Sequence, residues 1–102
     1  MSIKKQFLKS KDKYKVTWAI DKKVVKGAES ITLAGDFNDW SHSENTFKKL
    51  KSGNFTLTLE LAKGTNYQFR YLVDGNNWMN ETDADAFVDN SLSNEQNCVL
   101  SL

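Results

Sequence analysis

The chain has 102 residues, 39% of them hydrophobic and 26% charged, with a formal net charge of +1. That length suits one domain around one core, and the near-neutral balance gives no general case for nucleic acid as a partner. A single cysteine, Cys98, excludes an internal disulfide framework and fits a reducing compartment. No apolar run approaches membrane-spanning length, and the start from Met1 to Phe7 lacks the apolar stretch of a secretory signal. A cytoplasmic setting, with no membrane partner, is expected.

Charge is spread unevenly along the chain. Residues 1–26 hold nine lysines against Asp12 and Asp21, whereas residues 76–102 hold five acids and no Lys or Arg. One reading is a basic edge that meets an acidic partner. The other is a lysine-protected edge strand, since charge on an edge discourages sheet-to-sheet association; this second reading is preferred. Residues 1–13 can supply that extra strand.

From there, period-two alternation dominates. Tyr14, Val16, Trp18 and Ile20 alternate with Lys15, Thr17 and Ala19, which predicts a strand with one buried face and Trp18 in the core. Val25-Lys26-Gly27-Ala28 links this run to a shorter one carrying Ile31 and Leu33. A weaker extended piece spans Phe47 to Lys51 and turns at Ser52-Gly53-Asn54 into Phe55, Leu57, Leu59 and Leu61. Ala62-Lys63-Gly64-Thr65 reads as a second hairpin connection, so the strand that follows, with Tyr67, Phe69, Tyr71 and Val73, is predicted to pair antiparallel with it. Asn80 to Gln96 reads as an irregular polar loop anchored by Phe87, Val88 and Leu92, and Cys98 to Leu102 closes the chain as a last strand. No stretch shows a helical period with caps. The pattern predicts a single all-β domain, an immunoglobulin-like (early set) sandwich of about seven to eight strands. Proline is absent, so the loops must be held by packing and hydrogen bonds instead of fixed φ angles.

Two turns stand out, Gly35-Asp36-Phe37-Asn38-Asp39-Trp40 and Val73-Asp74-Gly75-Asn76-Asn77-Trp78. Turns are normally built of small polar residues, because their backbone faces water. An indole at the tip of each exposes flat apolar surface beside Asn and Asp amides. That combination suits a ligand with flat apolar faces edged by hydroxyls, which is a sugar. Phe37 is expected to anchor the first turn in the core and free Trp40 to face outward.

Leu-Ala-Gly-Asp-Phe-Asn-Asp-Trp (33–40), Phe-Arg-Tyr-Leu-Val-Asp-Gly-Asn-Asn-Trp (69–78), Ala-Asp (84–85) and Asn-Cys-Val-Leu (97–100) resemble the family 48 carbohydrate-binding modules. That family includes the glycogen-binding domain of the AMP-activated protein kinase β subunit and the early-set domains of isoamylases and branching enzymes. The resemblance spans residues 14–102. It implies a non-catalytic sandwich that binds α-1,4-linked glucan such as glycogen, starch or maltooligosaccharide. It further implies that Trp40 and Trp78 form the sugar platform, that Arg70 contacts sugar where the kinase domain carries Lys, and that Asn97, just before the last strand, bonds the glucan. Leu92 corresponds to an apolar residue that packs on the ligand. Two departures stand out: the second Trp turn is one residue longer, and the loop before the last strand lacks the expected Pro and Gly.

The chemistry of the residues agrees with that site. Each stack of a Trp ring on a C–H-rich sugar face contributes on the order of 1 kcal/mol. Arg70 supplies planar donors, while Asn97 and Asn77 both donate and accept. Parity along the strand turns Arg70 away from the face of Tyr67, Phe69 and Tyr71. Catalysis is disfavoured: Glu81, Asp83 and Asp85 cluster in one loop, but glycoside hydrolysis needs two carboxyls across a cleft. No cofactor or metal is expected, because Asp74, Asp83, Asp85 and Asp89 match no calcium-loop spacing and His42 is the only histidine. The rival reading is an interaction module that docks on a glucan-processing enzyme and does not bind sugar.

Overall fold

The described residues form nine strands in two antiparallel sheets. The computed structural model describes residues 1–90 and 95–102. The first sheet contains β1 (Ser2–Leu8), β2 (Lys13–Ile20), β4 (Lys48–Lys49) and β5 (Phe55–Ala62), in the order β1-β2-β5-β4. The second contains β3 (Ile31–Gly35), β6 (Asn66–Val73), β8 (Ala86–Asn90) and β9 (Glu95–Ser101), in the order β3-β6-β9-β8, and β7 (Asn77–Met79) pairs with β6. The register puts β3 along one edge of β6, from Gly35 opposite Phe69 to Ile31 opposite Val73. β9 and β7 share the other edge, Cys98 opposite Phe69 and Met79 opposite Tyr71. The all-β architecture expected from the alternation is what the chain adopts, with one short 3-10 turn at Asp36–Asn38.

The core sits between the sheets, where β2 buries one side and the central residues of β6 and β9 are buried on both. Val16, Trp18 and Ile20 of β2 meet Ile31, Leu33, Phe69, Tyr71, Cys98 and Leu100 of the second sheet, all of them fully buried. The Trp18 ring lies 5.9 Å from that of Phe37 and 6.1 Å from that of Phe69. Removing a side chain of this size from water is worth about 1.5–3 kcal/mol, so β2 and β6 together hold the sheets face to face. Lys5 of β1 reaches across the open side to the carboxylate of Asp85 and the carbonyl of Ser101.

Two expectations are corrected. β5 pairs with β2 and β4, not with β6. The Ala62–Thr65 link instead carries the chain from the first sheet to the second, where Gly64 N–H donates to Leu102 O (3.0 Å) and Leu102 N–H donates to Thr65 O (3.1 Å). Alternation reports which face of a strand is buried, and says nothing of which sheet the strand joins. Second, the segment expected to be irregular contains β8, an edge strand paired with β9. Phe87 is exposed, so it does not anchor this segment.

The anchor is Glu81, which is fully buried. The Tyr71 hydroxyl donates to Glu81 Oε1 (2.7 Å), Asp83 N–H donates to Oε2 (2.9 Å), and Glu81 N–H donates to Cys98 Sγ (3.2 Å). Burial first, and then the Glu81 charge, push the Tyr71 phenol far above its ordinary value. Burial likewise raises the Cys98 thiol. Tyr71, Glu81 and Cys98 are all fully buried.

Candidate functional site

The first Trp turn is built residue by residue. A Cβ on Gly35 would lie 2.6 Å from the backbone oxygen of Gln68 and 2.9 Å from both Phe37 and Phe69, so only glycine fits there. Phe37 turns inward onto Trp18 and Tyr67, as expected. Asn38 is buried: its Oδ1 accepts Gly35 N–H (3.1 Å) and Ser41 N–H (3.2 Å), and its Nδ2 donates to Leu33 O and Asn45 Oδ1 (both 2.8 Å). Asp39 and Trp40 both have positive φ, 54° and 59°. A bulky residue at positive φ is held there only by its surroundings. Here Trp40 N–H donates to Gly35 O (2.9 Å) and the indole Nε1 donates to Asp36 Oδ1 (3.1 Å). The ring is thus fixed in place and half-buried.

The second turn uses Asp74 and Gly75, again both at positive φ, 51° and 76°, with Asn76 N–H donating to Val73 O (3.2 Å). That sign pattern matches the right-handed twist of a hairpin. Asp74 Oδ1 accepts Glu29 N–H (2.8 Å) and Ser30 N–H (2.9 Å), which ties the hairpin to the β2–β3 loop. β7 then places Trp78 opposite Leu72, with the residue 39% exposed.

Parity collects the site on one face. Phe69 and Tyr71 point into the core, so Gln68, Arg70 and Leu72 point out. Two neighbouring depressions lie on this outer face of the second sheet. One, of about 300 Å³, is lined by Trp40, Arg70, Trp78, Asn90 and Glu95. The other, of about 350 Å³, is lined by Trp40, His42, Gln68, Trp78, Asn90 and Asn97. Both tryptophans border both depressions, while Arg70 lines the first and Asn97 the second. Asn77 is exposed at the first position of β7 and lines neither. Leu92 falls outside the described residues. Asn97 is inside β9, not before it, and is buried.

The polar groups are linked to one another. Arg70 has only 9% of its side chain exposed; Nε donates to Asn80 Oδ1 (2.7 Å) and Nη1 to Glu95 Oε2 (2.6 Å). Its guanidinium carbon lies 5.7 Å from the Trp78 ring centroid, within cation–π range. Asn97 Nδ2 donates to Gln68 Oε1 (3.1 Å), and Asn90 Nδ2 donates to Asn97 Oδ1 (3.3 Å). The His42 ring meets Trp78 edge-on at 5.4 Å. Such a surface offers two flat apolar plates around a shelf of amide and charged hydrogen-bonding groups.

Gln68, Asn80, Asn90 and Glu95 carry no role in the sequence reading, and His42 enters it only as a metal ligand that is dismissed. Gln68 stands two residues before Arg70 and Asn80 two after Trp78, so the same parity that turned Arg70 outward could have found them. Asn90 and Glu95 had no such signal, because the strand pairing that brings them here was not legible. Among the described residues no three His, Cys, Asp or Glu side chains gather as a metal site.

Among curated proteins, none matched this sequence. A family model described as the glycogen recognition site of AMP-activated protein kinase matches residues 9–100. That match covers nearly the whole sandwich and both Trp turns, and the chain therefore belongs to this glycogen-recognition family.

Proposed function

We propose that the module binds α-1,4-linked glucan without catalysing its turnover, with Trp40 and Trp78 stacking on glucose faces and Arg70 and Asn97 meeting the hydroxyl edge. The observation that carries this reading is that Trp40, Trp78 and Arg70 line one depression on the outer face of the second sheet. Membership of a glycogen-recognition family supports the ligand class. Gln68 and Asn77 are further candidate hydroxyl partners, and an unpaired buried hydroxyl would cost about 1–3 kcal/mol. A shallow, wet site of this kind binds on the order of micromolar to millimolar. The single buried thiol of Cys98 supports a reducing, cytoplasmic setting.

Calorimetric titration tests the reading. Maltoheptaose should give a saturable weak isotherm, and a β-1,4-linked oligosaccharide of similar length should give none. Flat traces with both would overturn it. One observation favours the second reading, a module that docks on a glucan-processing enzyme: two donors of Arg70 are already taken by Asn80 and Glu95. Flat traces would direct the search to that partner.

A further inference from the structure

The lysines fall into two groups with different surroundings. Lys22, Lys23 and Lys26 of the β2–β3 loop, with Lys49, border a depression of about 560 Å³. Acids stand among them: Asp21 and Glu29 in the same loop, and Asp74 bonded to that loop's backbone. Lys49 also donates to Ala28 O (3.3 Å). Three acids thus stand near these four lysines, although none of the four enters an ion pair among the described residues.

The other group lies on the outer face of the first sheet. Val16 and Trp18 point into the core, so Lys13, Lys15 and Thr17 point out. Register sets Lys4 opposite Thr17 and Gln6 opposite Lys15 on β1, and Thr58 opposite Thr17 and Glu60 opposite Lys15 on β5. Lys4, Gln6, Lys15 and Thr17 line a depression of about 460 Å³ there. Glu60 is the acid that β1, β2 and β5 present on this face, and its carboxylate is taken by Lys11 (3.1 and 3.2 Å). Lys4, Lys13 and Lys15 enter no ion pair among the described residues.

Edge protection accounts for Lys4, which is on the edge strand. It does not account for Lys13 and Lys15, because β2 is flanked on both sides by β1 and β5. β1 also precedes residue 9, where the family match begins, so this chain widens the face with a strand outside the matched segment.

We propose that this basic face docks an extended acidic segment of a partner protein. Alternate residues on a strand are roughly 7 Å apart, a spacing that an extended Asp/Glu-rich chain reproduces. Gln6 and Thr17 between the lysines offer neither rings to stack nucleic-acid bases nor apolar groups to enter a bilayer. The sugar-facing residues are on the outer side of the other sheet, so both surfaces can be occupied together. The inference does not rest on the glucan reading.

Fluorescence anisotropy of a labelled glutamate dodecapeptide with the full chain tests it. The peptide binds at low salt and is released as salt rises. Lys4→Glu with Lys15→Glu lowers affinity on the order of tenfold, while Lys22→Glu with Lys23→Glu, an equal change in charge, lowers it less than about twofold. No binding at low salt, or equal loss in both double variants, overturns the proposal. Tighter capture of phosphatidylserine vesicles or of single-stranded DNA than of the peptide overturns the choice of occupant. If the first variant does not fold, Lys4→Gln with Lys15→Gln against Lys22→Gln with Lys23→Gln makes the same comparison.

Discussion

Asp36 holds Trp40 with one carboxylate oxygen and β6 with the other: the indole N–H donates to Oδ1 (3.1 Å) and Gln68 N–H donates to Oδ2 (2.8 Å). The side chain thereby fixes an aromatic plate relative to the strand that carries Arg70. Asp36→Ala removes both bonds, costs about 1–2 kcal/mol of stability and frees the indole to rotate. Glucan affinity should fall several-fold while the fold is kept, measured by calorimetry beside thermal unfolding. Unchanged affinity would mean that the orientation of Trp40 is not set by Asp36.

Gly35 is a packing requirement, not a flexible joint. Its backbone is extended, and an added Cβ would meet the Gln68 carbonyl oxygen at 2.6 Å, an atom of the neighbouring strand that cannot swing aside. Gly35→Ala should destabilise the domain by about 1–3 kcal/mol, read as a lower midpoint in urea with the slope unchanged. Gly75→Ala makes a useful contrast: there the space is open, and only the positive φ of 76° is strained.

Glu81 is buried in full and makes its bonds to Tyr71 and to the Asp83 backbone. Glu81→Ala strands the Tyr71 hydroxyl and leaves a void, for a loss of about 3 kcal/mol. Tyr71→Phe keeps the packing but leaves the buried Glu81 Oε1 without that donor, for a loss of about 1–3 kcal/mol. Chemical denaturation of the two variants checks both losses.

Stability should fall in acid for a reason that can be assigned. Backbone bonds from Ser30 and Glu29 hold the Asp74 carboxyl below its ordinary value. At Asp85 burial acts to raise the value, but the Lys5 ammonium and the Ser101 N–H outweigh it and hold it low. A carboxyl depressed on folding stabilises the fold above its unfolded value, and that contribution is lost as pH falls through the folded one. Asp74→Asn with Asp85→Asn should therefore be less stable than wild type at neutral pH, with the gap closing below about pH 4. A gap that stays constant down to pH 2 would contradict this assignment.

Most of this architecture was legible in the residues, and the exceptions have physical causes. β2 keeps its buried residues on one side, and alternation announces that directly, whereas β6 also buries Arg70 and Leu72 of its outer face. β8 is an edge strand whose Phe87 faces solvent, so its pattern carries little hydrophobic signal. The β5–β6 link has the composition of a hairpin, yet it crosses between sheets, because Gly64 and Thr65 bond to the end of β9. At the site, the two indoles were conspicuous because each breaks the usual chemistry of a turn, whereas Arg70 follows from the family resemblance. Asn90 and Glu95 depend on pairing between β8 and β9 and could not be seen before it.

Native electrophoresis through gels with and without glycogen, comparing wild type with Trp40→Ala and Trp78→Ala, tests the central claim most directly. Wild type should be retarded by glycogen, and each substitution should abolish most of that retardation while leaving thermal unfolding cooperative. Wild-type mobility unaffected by glycogen, or retardation that survives both substitutions, would contradict the account.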